Sequence, residues 1–143
     1  MKKFIFILGI AMAGIVNFSL AQDCEIDQYT KECQANLQDN YIYLKTFKID
    51  ELNPSKKKVQ HTYVFSKGKQ YSLNICSETS ANQEGVVVNL YNSRRKLLGS
   101  NYSKGKYQDK IVYTCGATGL YYIVYTYNGD SKKLCGSSVL GMK

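Results

Sequence analysis

Tryptophan is absent from this chain, proline and histidine occur once each, and 11 acidic residues face 19 Lys and Arg. Each scarcity removes a class of chemistry. With His61 as the sole imidazole, neither His-x-His nor Cys-x-x-Cys spacing is present to hold zinc. A Ser-His-Asp hydrolase would need His61 to serve a nucleophile elbow of Gly-x-Ser-x-Gly form, and no such stretch occurs. A cysteine paired with His61 would act as a thiol catalyst only if it stayed reduced. Asp50 and Glu51 are sequence neighbours in a turn, not carboxylates set across a cleft. Asp23, Glu25 and Asp27 lack the glycine-centred loop of a calcium hand, and no glycine loop leads into a helix to cradle phosphate. The expectation is a protein that is not an enzyme and holds no cofactor or metal.

Membrane-length apolar runs are missing as well. Phe4 to Val16 is apolar or small throughout, but it is shorter than the roughly 20 residues a bilayer span requires. Lys2 and Lys3 precede it and Ser19-Leu20-Ala21 follow it, the pattern of an export signal over residues 1–21. No cysteine stands directly after Ala21, so no lipid anchor is expected there. The mature chain then begins at Gln22 and works in the periplasm or at the cell exterior, with no transmembrane segment.

All five cysteines, Cys24, Cys33, Cys76, Cys115 and Cys135, fall in that mature part. In an oxidising compartment they make two disulfides and leave one thiol over. Spacing leaves the pairing open. Cys24 with Cys33 is the first expectation, because a short loop closes at modest entropic cost. A second bridge is expected among Cys76, Cys115 and Cys135, with the odd cysteine buried and inert. The formal net charge of +8 falls by two once Lys2 and Lys3 are removed. That sign suits anionic neighbours. It also suits plain solubility and the guarding of sheet edges. Nucleic acid is not an expected partner for an exported chain.

What the chain has in quantity is tyrosine, 13 residues, all beyond Ala21. Such density belongs to strands, where a flat ring covers the sheet and the hydroxyl reaches water. The segment 22–39 is polar and reads as a short helix or coil, with Asp27 as a candidate cap. From Asn40 the period changes to two. Strands are expected from Tyr41 to Ile49, Val59 to Ser66, Gln70 to Cys76, Val86 to Tyr91, Leu97 to Leu98, Ile111 to Cys115, Leu120 to Tyr127 and Leu134 to Met142. Within the third, Tyr71, Leu73 and Ile75 point inward and Ser72, Asn74 and Cys76 outward. Asn128-Gly129-Asp130 is a hairpin signal, and Gly136 and Gly141 are expected to interrupt the last strand. About eight short strands at regular spacing give an all-β fold, an antiparallel β-sandwich or jelly roll over residues 40–143, with a short disulfide-stapled segment before it.

Three stretches carry a family likeness. They are Tyr63-Val64-Phe65 with Gly68, Gln70, Tyr71 and Leu73; Val88-Asn89-Leu90-Tyr91-Asn92 with Lys96-Leu97-Leu98; and Ala117-Thr118-Gly119-Leu120-Tyr121-Tyr122-Ile123-Val124. From about His61 to Tyr127 the chain resembles the bacterial pre-peptidase C-terminal domain family. That resemblance implies a secreted β-sandwich, usually a non-catalytic appendage beside a hydrolase. The family's acidic loop pair is replaced here by Asn101-Tyr102-Ser103-Lys104.

Two basic-aromatic patches are the candidate binding residues: Arg94, Arg95 and Lys96 in one turn, and Tyr102, Lys104, Lys106 and Tyr107 in the longest glycine-bearing loop. Tyrosine can stack on a sugar or anchor a protein interface, and Lys or Arg can pair with an acidic group. The expected role is an exported binding or accessory module that contacts an envelope protein or a polysaccharide. The alternative is a structural subunit of a larger envelope or outer-membrane complex.

Overall fold

The computed structural model describes residues 24–53, 55–77, 85–128 and 134–143. The expected export signal over 1–21 lies outside them, as does most of the expected loop from Ser77 to Gly85. In chain order the elements are α1 (Ile26–Ala35), β1 (Ile42–Lys48), β2 (Lys58–Phe65), β3 (Gln70–Ser77), β4 (Val86–Tyr91), β5 (Leu97–Ser100), β6 (Tyr102–Ser103), β7 (Lys106–Tyr107), β8 (Lys110–Thr114), β9 (Gly119–Tyr127) and β10 (Gly136–Met142). Eight of the strands form two four-stranded antiparallel sheets. Sheet A has the order β1-β10-β3-β8 and sheet B the order β2-β9-β4-β5, while β6 and β7 pair as a small ribbon. The chain changes sheet at nearly every connection, which is jelly-roll connectivity. The expected all-β sandwich is what forms.

Alternation explains which side chains meet between the sheets. Tyr71, Leu73 and Ile75 of sheet A face Val86, Val88, Leu90, Tyr121, Ile123 and Tyr125 of sheet B in one buried core. Phe65 lies stacked between Tyr71, centroid to centroid 3.9 Å, and Tyr121, at 4.7 Å. Such ring pairs add about 0.5–1.5 kcal/mol each beyond their buried area. Several phenol groups turn to protein instead of water. Tyr71 accepts the Ser66 N–H at 2.8 Å, Tyr121 donates to the Ala117 carbonyl at 2.6 Å, and Tyr125 pairs with Ser138 across the sandwich.

Several local expectations change. Asn128-Gly129-Asp130 does not lead into a hairpin: residues 129–133 lie outside the described residues, and β9 and β10 belong to different sheets. Gly136 and Gly141 do not interrupt β10, which pairs without a break from Gly136 to Met142. Gly136 stands there because a β-carbon would come within 2.5 Å of the Ser77 Cβ and 2.7 Å of the Cys76 carbonyl. In β1 a bulge between Tyr43 and Lys45 resets the alternation, so Leu44 turns to the core beside Phe47 and leaves Ile42 and Tyr43 exposed. Asp27 falls within the first turn of α1, and Glu25 takes the cap position without a side-chain bond.

The polar side of β3 is not solvated. α1 lies over the outer face of sheet A and buries Ser72, Asn74, Ser137 and Val139 beneath it. Thr30 donates to Ser137 at 2.9 Å, and Tyr29 and Leu37 pack around Cys33, Cys76 and Val139. Two disulfides hold it there, Cys24–Cys135 and Cys33–Cys76, with Cys115 free and buried. The expected Cys24–Cys33 staple is therefore wrong. Cys24 precedes α1 and Cys33 lies within it nine positions on, which puts these cysteines roughly 13 Å apart, beyond the 7 Å a disulfide can bridge. The second expected bridge, among Cys76, Cys115 and Cys135, fails because Cys76 and Cys135 are both taken by cysteines of the α1 segment, while Cys115 faces the inter-sheet core. A helix of ten residues is marginal alone, so the bridges are what keep it docked. They close 111 and 43 residues, each worth about 4–5 kcal/mol in the chain-entropy account. A non-reducing peptide map should show these two pairs, and Cys115 should react with a thiol reagent only in denaturant. Recovery of a Cys24–Cys33 peptide would contradict the fold.

Candidate functional site

The candidate residues Arg94, Arg95 and Lys96 sit in the turn that joins β4 to β5. Asn92 organises it, its side-chain oxygen accepting the N–H groups of Arg94 at 3.0 Å and Lys96 at 2.9 Å. Arg95 takes φ of 62°, a left-handed conformation that costs a non-glycine residue about 1–3 kcal/mol. That geometry turns its side chain back over sheet B. The guanidinium lies 3.8 Å from the Tyr122 ring centroid and donates to Gln60 Oε1 at 2.6 Å. Arg95 therefore reaches across β9 to β2, while Arg94 and Lys96 stay exposed.

Tyr102, Lys104, Lys106 and Tyr107 form a different feature. They build the β6–β7 ribbon, whose tip, Lys104 and Gly105 with φ of 51° and 76°, has the positive pair that a two-residue hairpin turn requires. The Tyr102 and Tyr107 rings lie 4.7 Å apart, and Tyr107 packs over Gly85. Because β4 runs between the two patches, the fold sets them at opposite ends of a strand of about 20 Å instead of joining them. The link before the ribbon is structural. Buried Asn101 accepts the Val88 N–H at 2.6 Å and donates to the Val86 carbonyl at 3.0 Å, finishing the edge of β4 where β5 has ended. Asn101→Ala leaves both groups unpaired, an expected loss on the order of 2–4 kcal/mol, readable from the urea midpoint.

Around Arg95 lies a surface that sequence reasoning did not single out, the outer face of sheet B. Register places Val64 beside Leu120, the row Thr62, Tyr122, Tyr91 and Leu97 next to them, and Gln60, Val124 and Asn89 beyond. Val64, Leu97 and Leu120 are 55 %, 51 % and 48 % exposed, and no described element covers them. The four strands of sheet B and the turns at 66–69, 92–96 and 115–118 contain no Asp or Glu, but they carry Lys58, Lys67, Lys69, Arg94, Arg95 and Lys96. None of these six has a carboxylate partner among the described residues, where the one ion pair is Lys56 with Glu51. The opposite side of the molecule, at α1, carries Glu25, Asp27 and Glu32.

Among the described residues, the inter-sheet core leaves little room for a ligand. A void in the core among Phe65, Tyr71, Leu90 and Ile123 has room of about 10 Å³, at the lower limit for one water. His61 is spent on packing. Its ring lies 5.0 Å from Phe47 and 5.7 Å from Tyr125, and Nε2 is buried with no hydrogen-bond partner among the described residues. Free Cys115 contacts the Ala117 carbonyl and the Tyr121 hydroxyl, so it makes no dyad with His61. No group of three or more metal-binding side chains gathers among the described residues.

No family model matches the chain, and no curated protein matches it. Among solved structures it is similar to PliG of Aeromonas hydrophila, a periplasmic lysozyme inhibitor of g-type lysozyme. Identity is 15 %, the TM-score is 0.45, and the match covers 72 % of this chain and 86 % of that one.

Burial, helped by the nearby Lys45 charge and opposed by Glu51, holds the His61 pKa below 6.5. The folded state therefore prefers neutral imidazole, and the unfolded chain takes up the proton first as pH falls. Stability should be full above pH 6.5 and decline below it. His61→Leu should remove that part of the decline, measured by thermal melts from pH 7.5 to 5; an identical slope in the variant would refute it.

Proposed function

We propose that this chain is an exported, non-catalytic binding module that contacts an envelope protein through the outer face of sheet B. The observation that carries this reading is the contrast between the two outer faces. One is covered by a helix under two disulfides; the other exposes Val64, Leu97 and Leu120 around an Arg95 that is already ordered. An exposed apolar patch beside a pre-positioned arginine is the composition of a protein contact. The two bridges agree with folding outside the reducing cytosol. The likeness of residues 61–127 to the pre-peptidase C-terminal domain belongs to the same proposal, through that family's accessory role.

A polysaccharide fits less well. Sugar stacking needs a bare ring face, but Arg95 covers Tyr122 and Tyr107 leans against Tyr102. The permanent-subunit reading loses one support, since the odd cysteine is buried in its own core and offers nothing to another chain.

A photo-crosslinking side chain at Val64 should yield a discrete envelope-protein adduct in the native cell. The same probe at exposed Lys31 on α1 should not. Equal adducts from both sites, or a glycan array giving binding that Arg95→Ala leaves intact, would defeat the proposal.

A further inference from the structure

We propose that β2 accepts an extended, acidic segment of the partner protein as a fifth strand of sheet B. This rests on the reading of sheet B as the contact face and adds the mode of binding and the chemistry of the partner. The ladder to β9 uses the odd-numbered residues of β2: Tyr127 donates to the Lys57 carbonyl, and the register carries that phase through Val59, His61, Tyr63 and Phe65. The backbone N–H and C=O groups of Gln60, Thr62 and Val64 therefore point away from the sheet, and no described backbone group pairs with them. Such an edge invites pairing, and proteins ordinarily blunt it.

The other three edges are blunted. β1 has its bulge and Lys45, β5 is four residues long and hands over to the Asn101 side chain, and β8 is five residues long and begins with Lys110. β2 pairs over eight residues without a bulge or proline, and its one charge is Lys58 at the start. An added strand would present alternate side chains to two surroundings. Toward the interior it would cover Leu44, Val59 and Tyr63, which the core leaves partly open. Toward the outside it would meet Gln60, Lys58 and the Arg95 guanidinium, on a sheet that contains no carboxylate. The fitting segment alternates apolar with acidic residues. A second copy of β2 fits less well, because it would bring only further basic groups, its own Lys58 and Arg95, and no carboxylate to this edge.

The probe is a capped peptide of about seven residues alternating valine with glutamate, added to the full mature protein. Amide exchange followed by NMR should slow at least ten-fold at Gln60, Thr62 and Val64. A lysine-for-glutamate peptide should bind at least ten-fold more weakly. N-methylation of the peptide's pairing edge should abolish binding, as should Thr62→Pro, which removes an outward N–H and leaves the bonds to β9 intact. If the peptide binds and Arg95→Ala weakens it while exchange at those three amides is unchanged, strand addition is wrong and the face reading stands. If the glutamate peptide does not bind while the Val64 photo-adduct persists, the acidic strand is likewise excluded and the face reading again stands. Loss of both overturns both. A dimer in sedimentation that Thr62→Pro dissolves would assign the edge to a second copy and overturn the acidic partner.

Discussion

Two covalent bridges pin α1 to the outer face of sheet A, and the functional character of the molecule depends on that asymmetry. A sandwich of two four-stranded sheets has two outer faces, and the side chains on both would otherwise meet water. Here Cys24–Cys135 and Cys33–Cys76 convert one into a second, small core built from Cys33, Cys76, Val139, Tyr29 and Leu37. Ser72, Asn74, Ser137 and Gly141 line that interface because a helix backbone can approach a sheet closely only over small side chains. No equivalent cover exists among the described residues for sheet B.

The uncovered face is not simply left over. Arg95 holds a costly backbone conformation, and what that conformation delivers is a guanidinium stacked on Tyr122 and bonded to Gln60. Strain retained away from any core requirement is consistent with a site selected for contact. The charge distribution points the same way. The strands of sheet B contain no carboxylate, so this side of the molecule is basic and partly apolar. An acidic partner would be steered to one side of it.

Rigidity follows from the interior. Phe65 between Tyr71 and Tyr121 ties β2 and β9 to β3, while the Tyr125–Ser138 pair ties β9 to β10. These contacts fix the two sheets, so β2 is presented as a firm edge despite having one neighbour. Where a hydroxyl or amide is buried in these places it is bonded, and Asn101 does with its side chain what a longer β5 would do with its backbone. The exceptions among the described residues are the Tyr107 hydroxyl and His61 Nε2, and burial disfavours the charged form of that imidazole near the β1 and β2 edges.

Much of this was legible in the residues. Period-two patterning located the eight sandwich strands within a residue or two and assigned Tyr71, Leu73 and Ile75 to the interior, because alternation is a local consequence of the pleat. The sandwich class followed, as did a short stapled segment before it and a buried odd cysteine. The pairing of the cysteines did not, nor the crossing at Asn128, nor the separation of the two basic-aromatic patches. Those depend on which strands become neighbours, and strand order joins residues up to 111 positions apart. Arg95 was found by its charge and its turn, but its partners Gln60 and Tyr122 come from other strands. The sequence by itself determined the pleat, the core side of β3 and the sign of the charge. Only tertiary structure decided which outer face is covered and which edge stays open, because those are properties of neighbours that no local pattern encodes.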